Sequence, residues 1–398
     1  MIRRVWPLVA AAIALGIDAY VVAGVLPSIA DSLATTVAVI GLGVTAFTAA
    51  YAVAGPLLSG RLAQGSTARA LLIALGVFNL GNLITVLAPG VGTFLASRVV
   101  AGAGAGMLTA IATATAASMV TDRERGRAMA TVTFGLSTGT VAGVPLGMLI
   151  GESWGWRWTM ALVVAVGVLS MTALAARAHT LPPLPMTDGA PAFAVLRSGK
   201  TSAGIVAAFL LGVASLGLYT YLLPMADSRG LQDWGFALVW AWGIGGVAGA
   251  ALIGKPLDRY GPRVLLLVLP AVLSASFATV WLSSAPALWL TAAATWGAAG
   301  WASVPTLQQA LTQDRPAQAM PVIAFQMAAM YLGSAAGAAL GSSLLSEGVN
   351  SVDLAGLALL PAGLATILTC WIGAKAQPAR TRETVRVQAR EPAGCASR

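Results

Sequence analysis

Charged residues are scarce in this sequence, because Asp, Glu, Lys and Arg together make up only 9% of its 398 residues. Soluble globular proteins carry about 25% charged residues. A chain of which 58% is hydrophobic also lacks the polar groups that a water-exposed exterior needs. A soluble fold is therefore excluded, and most of the exterior must face lipid.

Cysteine and histidine are scarcer still. The two cysteines, Cys370 and Cys395, supply neither a disulfide framework nor a metal site. The single histidine, His179, lies in a polar stretch, so a Ser/His/Asp or Cys/His catalytic set has almost nothing to be built from. No nucleotide motif of the Gly-x-x-x-x-Gly-Lys-Ser/Thr kind is visible. We expect a protein that is not an enzyme and that holds no cofactor and no metal.

Apolar runs, by contrast, recur along the whole chain. A transmembrane helix needs about 20 mainly apolar residues, and twelve segments meet this requirement. Continuous runs of this kind exclude the alternating strands of an outer-membrane barrel. The expected spans are 5–29, 37–59, 70–88, 93–119, 129–151, 158–177, 201–226, 234–253, 264–284, 287–311, 321–345 and 354–374.

The Lys and Arg residues indicate how these spans are oriented. If both termini are cytoplasmic, 20 of the 23 Lys and Arg residues lie on the cytoplasmic side, against only Arg157 and Arg229 outside. Cytoplasmic loops are enriched in these residues, so topology explains the net charge of +9 and nucleic-acid binding is not expected. The sequence predicts a monomeric, multi-pass protein of the cell inner (plasma) membrane, embedded in the lipid bilayer.

The longest polar break, at residues 178–200, divides the spans six and six and contains four prolines, which is typical of a linker. Leu26-Pro27 and Leu223-Pro224 end the first and seventh spans 197 residues apart, which indicates a duplication with parallel halves. Two such bundles rocking about a midplane site give alternating access. The expected domains are an N-terminal six-helix bundle (1–177), a cytoplasmic linker (178–200), a C-terminal six-helix bundle (201–374) and a disordered cytoplasmic tail (375–398).

The loop after the eighth span reads Gly254-Lys-Pro-Leu-Asp258-Arg259-Tyr-Gly261-Pro-Arg263. Its glycines permit a close helix approach and a tight turn, and its Asp-Arg charges can bridge to a neighbouring helix. This order resembles the G-x-x-x-D-R-x-G-x-R loop of the major facilitator superfamily, where the motif follows span 2 and recurs in weaker form after span 8. The resemblance implies a cytoplasmic gate made of these five numbered residues together with Gly60 and Arg69 of the loop after the second span.

The loop after the second span is a degenerate copy of this motif. It keeps Gly60 and Arg69, but Gln64 stands where the family has Asp and Thr67 replaces the second glycine. The resemblance therefore implies a charge clamp that is intact in the C-terminal half and neutralised in the N-terminal half.

Two charged residues lie well inside the spans, Asp18 in the first and Arg98 in the fourth. An arginine inside hydrocarbon costs roughly 2.5 to 3.5 kcal/mol on insertion scales, so it needs an interior partner. A carboxylate in a low-dielectric cavity takes up a proton more readily than one in water, as a reversible proton site requires. Arg98 followed by Gly102 and Gly104 is similar to the family's span-4 motif R-x-x-x-G-x-G, whose arginine lines the central cavity and is tied to proton coupling.

We expect Asp18 and Arg98 to form the proton-coupling site. Two alternatives remain open for these residues. The pair can be a static link that holds spans 1 and 4 together, or Arg98 can be an outer-end arginine that snorkels to the membrane surface.

The fifth span carries five glycines, each four residues apart, with Pro145 among them. Such spacing places the glycines along one stripe, where another helix can approach backbone to backbone. The stretch Gly143-Val-Pro-Leu-Gly147 looks like the span-5 motif of drug:proton exporters, which implies a helix-packing hinge at Gly139, Gly143, Pro145 and Gly147. The full set is Gly135, Gly139, Gly143, Gly147 and Gly151.

The internal repeat indicates that the two halves of the chain have different functions. At the matching offset, Asp18 corresponds to about Ser215 and Arg98 to about Ala293, so the charge pair has no charged counterpart. We infer that the C-terminal half contributes an apolar, aromatic substrate wall. The expected substrate-binding residues are Tyr20, Tyr51, Phe134, Tyr219, Trp242 and Trp296, with Asn79, Asn82, Gln308 and Gln326 as possible polar contacts.

Taken over the whole chain, the sequence resembles the major facilitator superfamily of the twelve-span drug:proton antiporter type, and is similar to bacterial chloramphenicol, arabinose and sugar efflux proteins. The resemblance implies an all-α membrane protein with two parallel six-helix repeats. It also implies that the protein exports small drug- or antibiotic-like molecules by proton antiport. The alternatives are a sugar or metabolite exporter or uniporter of the same fold and, from another class, a membrane sensor or scaffold that transports nothing.

Overall fold

The computed structural model describes residues 2–184 and 192–375, so the middle of the predicted linker and the predicted tail after Lys375 lie outside the described residues. Within these ranges the chain is mostly helical and has no β-strand. The α-helices are α1 (Ile2–Gly24), α2 (Leu26–Ser32), α3 (Val37–Ala63), α4 (Thr67–Val86), α5 (Val91–Ser118), α6 (Arg125–Thr138), α7 (Val144–Trp154), α8 (Trp156–Ala176), α9 (Gly199–Leu211), α10 (Leu222–Asp227), α11 (Gly235–Leu252), α12 (Gly254–Tyr260), α13 (Pro262–Leu282), α14 (Pro286–Thr312), α15 (Ala319–Ser346) and α16 (Asp353–Lys375).

Ten helical segments among the described residues are long and apolar enough to cross a membrane. The two remaining expected spans correspond to α1, which has the apolar stretch Val5–Ala19, and to the 27-residue α14. The second half of α14 carries Ser303, Thr306 and Gln308, all of them buried, so these polar side chains face protein and not lipid. The expected all-α membrane fold is confirmed.

Two of the spans contain a π-helical turn that the hydrophobic pattern does not predict. The first, Gly139–Gly143, joins α6 to α7 in the fifth span, and the second, Gly212–Gly217, follows α9 in the seventh. In the fifth span, Pro145 has no backbone N–H to donate to the carbonyl group one turn earlier. This missing hydrogen bond allows the helix to change locally from α- to π-type hydrogen bonding. Single π turns inside α-helices are frequent at functional sites.

The glycine stripe of the fifth span lies against α1. A Cβ atom built at Gly135 or Gly139 would overlap backbone oxygens of α1, and one built further along the stripe would overlap its side chains. The residues that the five glycines meet, in α1 and directly after it, are also four apart, so the two helices run parallel at close range. These residues are Val9, Ile13, Ile17 and Val21 of α1 and Val25, which follows α1.

The same packing recurs in the second part of the chain. There α15 lies against α9 and the π turn that follows it, and a Cβ atom at Gly333 would overlap the carbonyl oxygen of Phe209. A Cβ atom at Gly337 would lie 2.9 Å from the Cα of Val213. The spacing of these contacts, four residues on each helix, matches that between the fifth span and α1.

Helices α1–α8 (the N-half) and α9–α16 (the C-half) contact each other through α6 with α11, α12 and α14, and through α15 with α3 and α5. The start of α6 and the whole of α12 lie at the end of the bundle where α1 begins, which we call the terminal end. Beside the predicted linker, the Leu184 N–H donates to Thr67 Oγ1 (3.2 Å), and the rings of Phe193 and Phe325 lie 5.3 Å apart. The division into two domains and a linker stays a prediction.

Candidate functional site

The two charged residues predicted inside the membrane meet in the structure. Arg98 Nη1 lies 2.9 Å from Asp18 Oδ1, and the two residues are only 1% and 0% exposed. They join α1 to α5 in the interior of the N-half. Because Arg98 is buried and paired, the alternative in which it snorkels to the membrane surface does not describe this structure.

Asn82 of α4 is the third member of this cluster. Its Nδ2 donates to Asp18 Oδ2 (3.3 Å), while its Oδ1 accepts from Arg98 Nη1 (3.0 Å). Asn82 was expected as a possible contact to the substrate, and the structure places it in the ion pair instead, with no exposed surface. The guanidinium of Arg98 also lies over the ring of Phe47, 4.6 Å from its centroid, which is a favourable cation–π distance.

The corresponding region of the C-half is neutral. Ser215, in the second π turn, accepts a hydrogen bond from Trp296 Nε1 at 2.9 Å. The sequence offset pointed to Ala293 as the counterpart of Arg98, but the side chain that reaches Ser215 comes from nearly one helical turn further along α14. The reason is the reach of the side chain, since the indole spans a gap that the methyl group of Ala293 cannot.

Only some of the predicted substrate-binding aromatic residues lie close together. Tyr219 stacks on Trp242 with ring centroids 3.9 Å apart, and Trp296 lies behind them with 6.5 Å between its centroid and that of Tyr219. Tyr51 instead packs edge to face against Tyr331, 4.8 Å away, between α3 and α15.

Two further residues of the predicted wall do not join this group. Phe134 is half-buried on α6 and lines neither of the two inner cavities described below. The side chain of Tyr20 lies outside the described part of the structure. Of the predicted polar contacts, Asn79 lies between α4 and α8, where its amide oxygen faces Gly167.

Two cavities lie side by side in the interior. One lies among the C-half helices and is lined by residues that include Trp242, Trp301 and Gln326. The other lies between the halves and is lined by residues of α1, α5, α6, α14 and α15 that include Gln308. Val304 lines both cavities, and Gln308 Nε2 donates to Gln326 Oε1 (3.2 Å) across the boundary.

At the terminal end, the loop after the eighth span contacts the opposite half. Asp258 Oδ1 accepts from the backbone N–H of Arg127 at 3.1 Å, and Asp258 Oδ2 lies 3.3 Å from Arg127 Nε. The carboxylate thus lies at the N-terminal end of α6, where the helix dipole favours negative charge. Burial nevertheless raises the pKa of Asp258 to about 6, the hydrogen bond and the charge of Arg127 opposing this shift.

Two glycines of this loop lie where a larger residue would not fit easily. A Cβ atom at Gly254 would lie 2.9 Å from the Cα of Arg127, so the glycine allows α12 to approach α6. Gly261 has φ +72° and separates α12 from α13 in a conformation that other residues rarely adopt. Arg259 stacks over Tyr260 at 5.2 Å, and Arg263 lies beside Gly373 of α16, so neither arginine joins the contact with α6.

The degenerate loop of the N-half makes no comparable contact. A Cβ atom at Gly60 would meet nothing within 4 Å. Arg69 Nη2 lies 3.4 Å from the carbonyl oxygen of Gln64 in its own loop. In this structure the C-half loop bridges the halves, whereas these two N-half residues do not.

The residues that carry the fifth-span motif lie at the π turn and just after it. Gly139 and Gly143 are its first and last residues, and Pro145 opens α7. Gly147 faces Val21 of α1, and its carbonyl oxygen accepts from Thr159 Oγ1 at 2.6 Å. The predicted hinge residues therefore lie at or next to the π turn of this span.

Residues 8–342 match the sequence model of the Major Facilitator Superfamily. The chain belongs to this superfamily. It is therefore a multi-pass membrane transporter for small molecules and not an enzyme, as the sequence predicted. The family is the one that the loop, span-4 and span-5 motifs resembled.

Curated relatives cover nearly the whole chain. The inner membrane transport protein YdhP of Escherichia coli K12 is 28% identical over 94% of this chain and 97% of its own length. The chloramphenicol resistance protein of Streptomyces lividans is 30% identical over 85% of this chain and 88% of its own length. Among solved structures, the transporter FucP in its outward conformation superposes with a TM-score of 0.76 at 13% identity, covering 92% of this chain and 98% of FucP, which shows the shared fold.

Proposed function

We propose that this transporter exports small drug- or antibiotic-like molecules across the cytoplasmic membrane in exchange for protons. The observation that carries the proposal is the buried cluster of Asp18, Arg98 and Asn82 in the N-half. Its three side chains hydrogen-bond to one another inside the membrane, and the proposal assigns proton exchange to the carboxylate of Asp18. The Streptomyces lividans relative, a chloramphenicol resistance protein, supports the choice of drug export.

Proton uptake at Asp18 changes what Arg98 can bind. Within the described part of the chain, Asp18 is the one charged partner of the guanidinium, while Asn82 and the ring of Phe47 are neutral. When the carboxylate is protonated, Arg98 loses that partner, and an unpaired cation in a low-dielectric interior is costly. Arg98 then shifts toward another acceptor, which couples the proton to the arrangement of α1, α4 and α5.

Movement between the two access states is proposed to use the glycine stripe and the π turn of the fifth span. Gly139 and Gly143 let α6 and α7 lie against α1 with little side-chain interdigitation, so the helices can slide or bend with few rotamer changes. On the terminal side, Asp258 and Arg127 join the halves and close the path. The excess of Lys and Arg on that side supports a cytoplasmic location for it and for both termini.

The test is transport by the purified protein in proteoliposomes of known orientation, with an imposed pH gradient. We expect gradient-driven movement of at least one neutral or charged antibiotic from a panel that also contains sugars. A protonophore should abolish this movement. Transport of sugars alone would support the metabolite exporter instead, and movement of no compound in either direction would contradict the proposal.

A further inference from the structure

The residues that line the C-half cavity disfavour charged ligands. Its lining comes from α9, the second π turn, α11, α13, α14 and α15, and none of the lining residues is charged. The two charged residues inside the membrane, Asp18 and Arg98, line neither this cavity nor the one beside it, and they neutralise each other. An ion placed in the C-half cavity would lose its hydration without gaining a counter-charge.

Most polar side chains around this cavity already have a partner. Ser215 Oγ accepts from Trp296, Ser303 Oγ donates to the Ala299 carbonyl at 2.7 Å, and Gln326 Oε1 accepts from Gln308. The exceptions are two indole nitrogens. Trp242 Nε1 and Trp301 Nε1 are buried, and neither has a hydrogen-bond acceptor within reach among the described residues.

Both indoles are held in place by their neighbours. Trp242 is 2% exposed and stacks on Tyr219. Trp301 is 4% exposed, and its pyrrole edge lies so close to Gly246 that a Cβ atom there would be 2.8 Å from Nε1. Rigid donors lose little conformational entropy when a ligand binds.

Comparison of the halves shows how Trp301 enters this position. In the N-half, the large residue is Tyr51 on α3, and its backbone meets Gly106 on α5. In the C-half, 195 residues further along, the small residue is Gly246 on α11 and the large one is Trp301 on α14. The large and the small residue have thus changed places between the two corresponding helices. As a result, the large residue of the C-half is a tryptophan on α14, where it lines the C-half cavity.

We propose that the C-half cavity is the substrate subsite, and that it takes neutral aromatic molecules whose hydrogen-bond acceptors meet the N–H groups of Trp242 and Trp301. This inference rests on the proposed export function and names its substrate class. The acceptors can be nitro, carbonyl, amide or sulfonyl oxygens, because each accepts from an indole N–H without carrying a net charge.

Equilibrium binding to the full-length protein in lipid nanodiscs tests the proposal. The probes are radiolabelled chloramphenicol and other neutral aromatics that bear acceptor oxygens, with tetraphenylphosphonium as a permanent cation and naphthalenesulfonate as an anion. We expect saturable binding of neutral probes, competition among them, and no competition by either ion. Failure of every neutral probe to bind, or equal competition by the ions, would overturn the proposal.

The tryptophan variants locate the site. Trp242→Phe and Trp301→Phe each keep an aromatic ring and remove the N–H, so each should weaken binding of a neutral probe by about tenfold, the effect of one modest hydrogen bond. Trp234→Phe, at the start of α11 and partly exposed, should bind as the wild type. Wild-type affinity in both cavity variants would show that the indole N–H groups do not hold the ligand.

Transport assays distinguish a failure of this inference from a failure of the export function on which it rests. A protein that moves only cations along a proton gradient would refute the neutral substrate class and leave proton-coupled export standing. A protein that binds neutral probes through both indoles but shows no gradient-driven transport would refute the exporter and leave the subsite standing. Monodisperse size-exclusion profiles for all variants exclude misfolding as the cause.

Discussion

Ser215 and Trp296 are joined by a neutral hydrogen bond of 2.9 Å in the C-half, where the N-half has the ion pair of Asp18 and Arg98 at the same 2.9 Å separation. Both contacts link the first span of a half to its fourth, and both are buried. The duplicated architecture has therefore kept a polar contact in each half but charge in only one. This asymmetry motivates the assignment of proton coupling to the N-half and of substrate binding to the C-half.

Replacing Asp18 by Asn should separate binding from proton coupling. The variant keeps an oxygen that can accept from Arg98 but cannot gain or lose a proton. We expect gradient-driven transport to fall to background, while exchange of labelled for unlabelled substrate across the proteoliposome membrane continues. The control is Asp31→Asn in the exposed part of α2, which should behave as the wild type. Full gradient-driven transport by Asp18→Asn would show that the pair is static.

Replacing Asn82 by Ala should impair transport through the ion pair. The change removes two hydrogen bonds to charged groups, which is expected to reduce transport by about 10- to 100-fold. A positioning role also predicts a shifted dependence of transport on pH, which loss of packing alone would not cause. The matched control is Thr85→Ala on the same helix, which removes the 2.7 Å contact with Ser97 but leaves the cluster intact. Identical pH profiles for wild type and Asn82→Ala would contradict the role.

The docking of α12 on α6, where Asp258 contacts Arg127, should become less favourable as pH rises. Burial raises the pKa of Asp258 from 3.8 to about 6 in the docked arrangement, so docking favours the protonated carboxyl group. That contribution is fully present below pH 3.8 and is lost as pH rises through about 6. The fraction of molecules with a closed terminal end should therefore be larger at pH 5 than at pH 7.5, with Glu124 and Arg127 as the charged neighbours.

Spin labels at positions 123 and 260, in a variant without native cysteines, would report this closure as a distance. Asp258→Asn keeps a side-chain oxygen for the Arg127 N–H and has no proton to exchange, so its distance distribution should not vary between these two pH values. Asp233→Asn, exposed at the opposite end of the bundle, should retain the wild-type dependence. A closed fraction that rises with pH in the wild type would contradict the sign of the prediction.

The glycine stripe should tolerate no side chain where it meets α1. At Gly139 a methyl group would overlap the carbonyl oxygen of Ile13, so Gly139→Ala is expected to destabilise the protein by about 1 to 3 kcal/mol and to lower its apparent melting temperature. Gly76→Ala in α4 is the control, because a Cβ atom there meets nothing within 4 Å. This control should match or slightly exceed the wild type in stability. Equal melting temperatures for the two variants would refute the close packing of these helices.

Some properties of this protein follow from the amino-acid sequence alone. The hydrophobic runs predict the lipid environment and the twelve spans, since hydropathy depends on the residues of each segment and not on their neighbours in space. The same reasoning isolates Asp18 and Arg98, because a charge inside an apolar run is visible in the sequence and requires a partner. The loop motif likewise leads to Asp258, although not to Arg127 as its partner.

Other properties were decided by the tertiary structure. The spans are apolar on nearly all sides, so their sequences do not show which face of each helix points inward. That rotation determines that Asn82 joins the ion pair, that Trp296 and not Ala293 reaches Ser215, and that Trp301 lines a cavity beside Trp242. Such contacts depend on how side chains from distant segments fit together in three dimensions, and hydropathy along the chain carries no record of that fit.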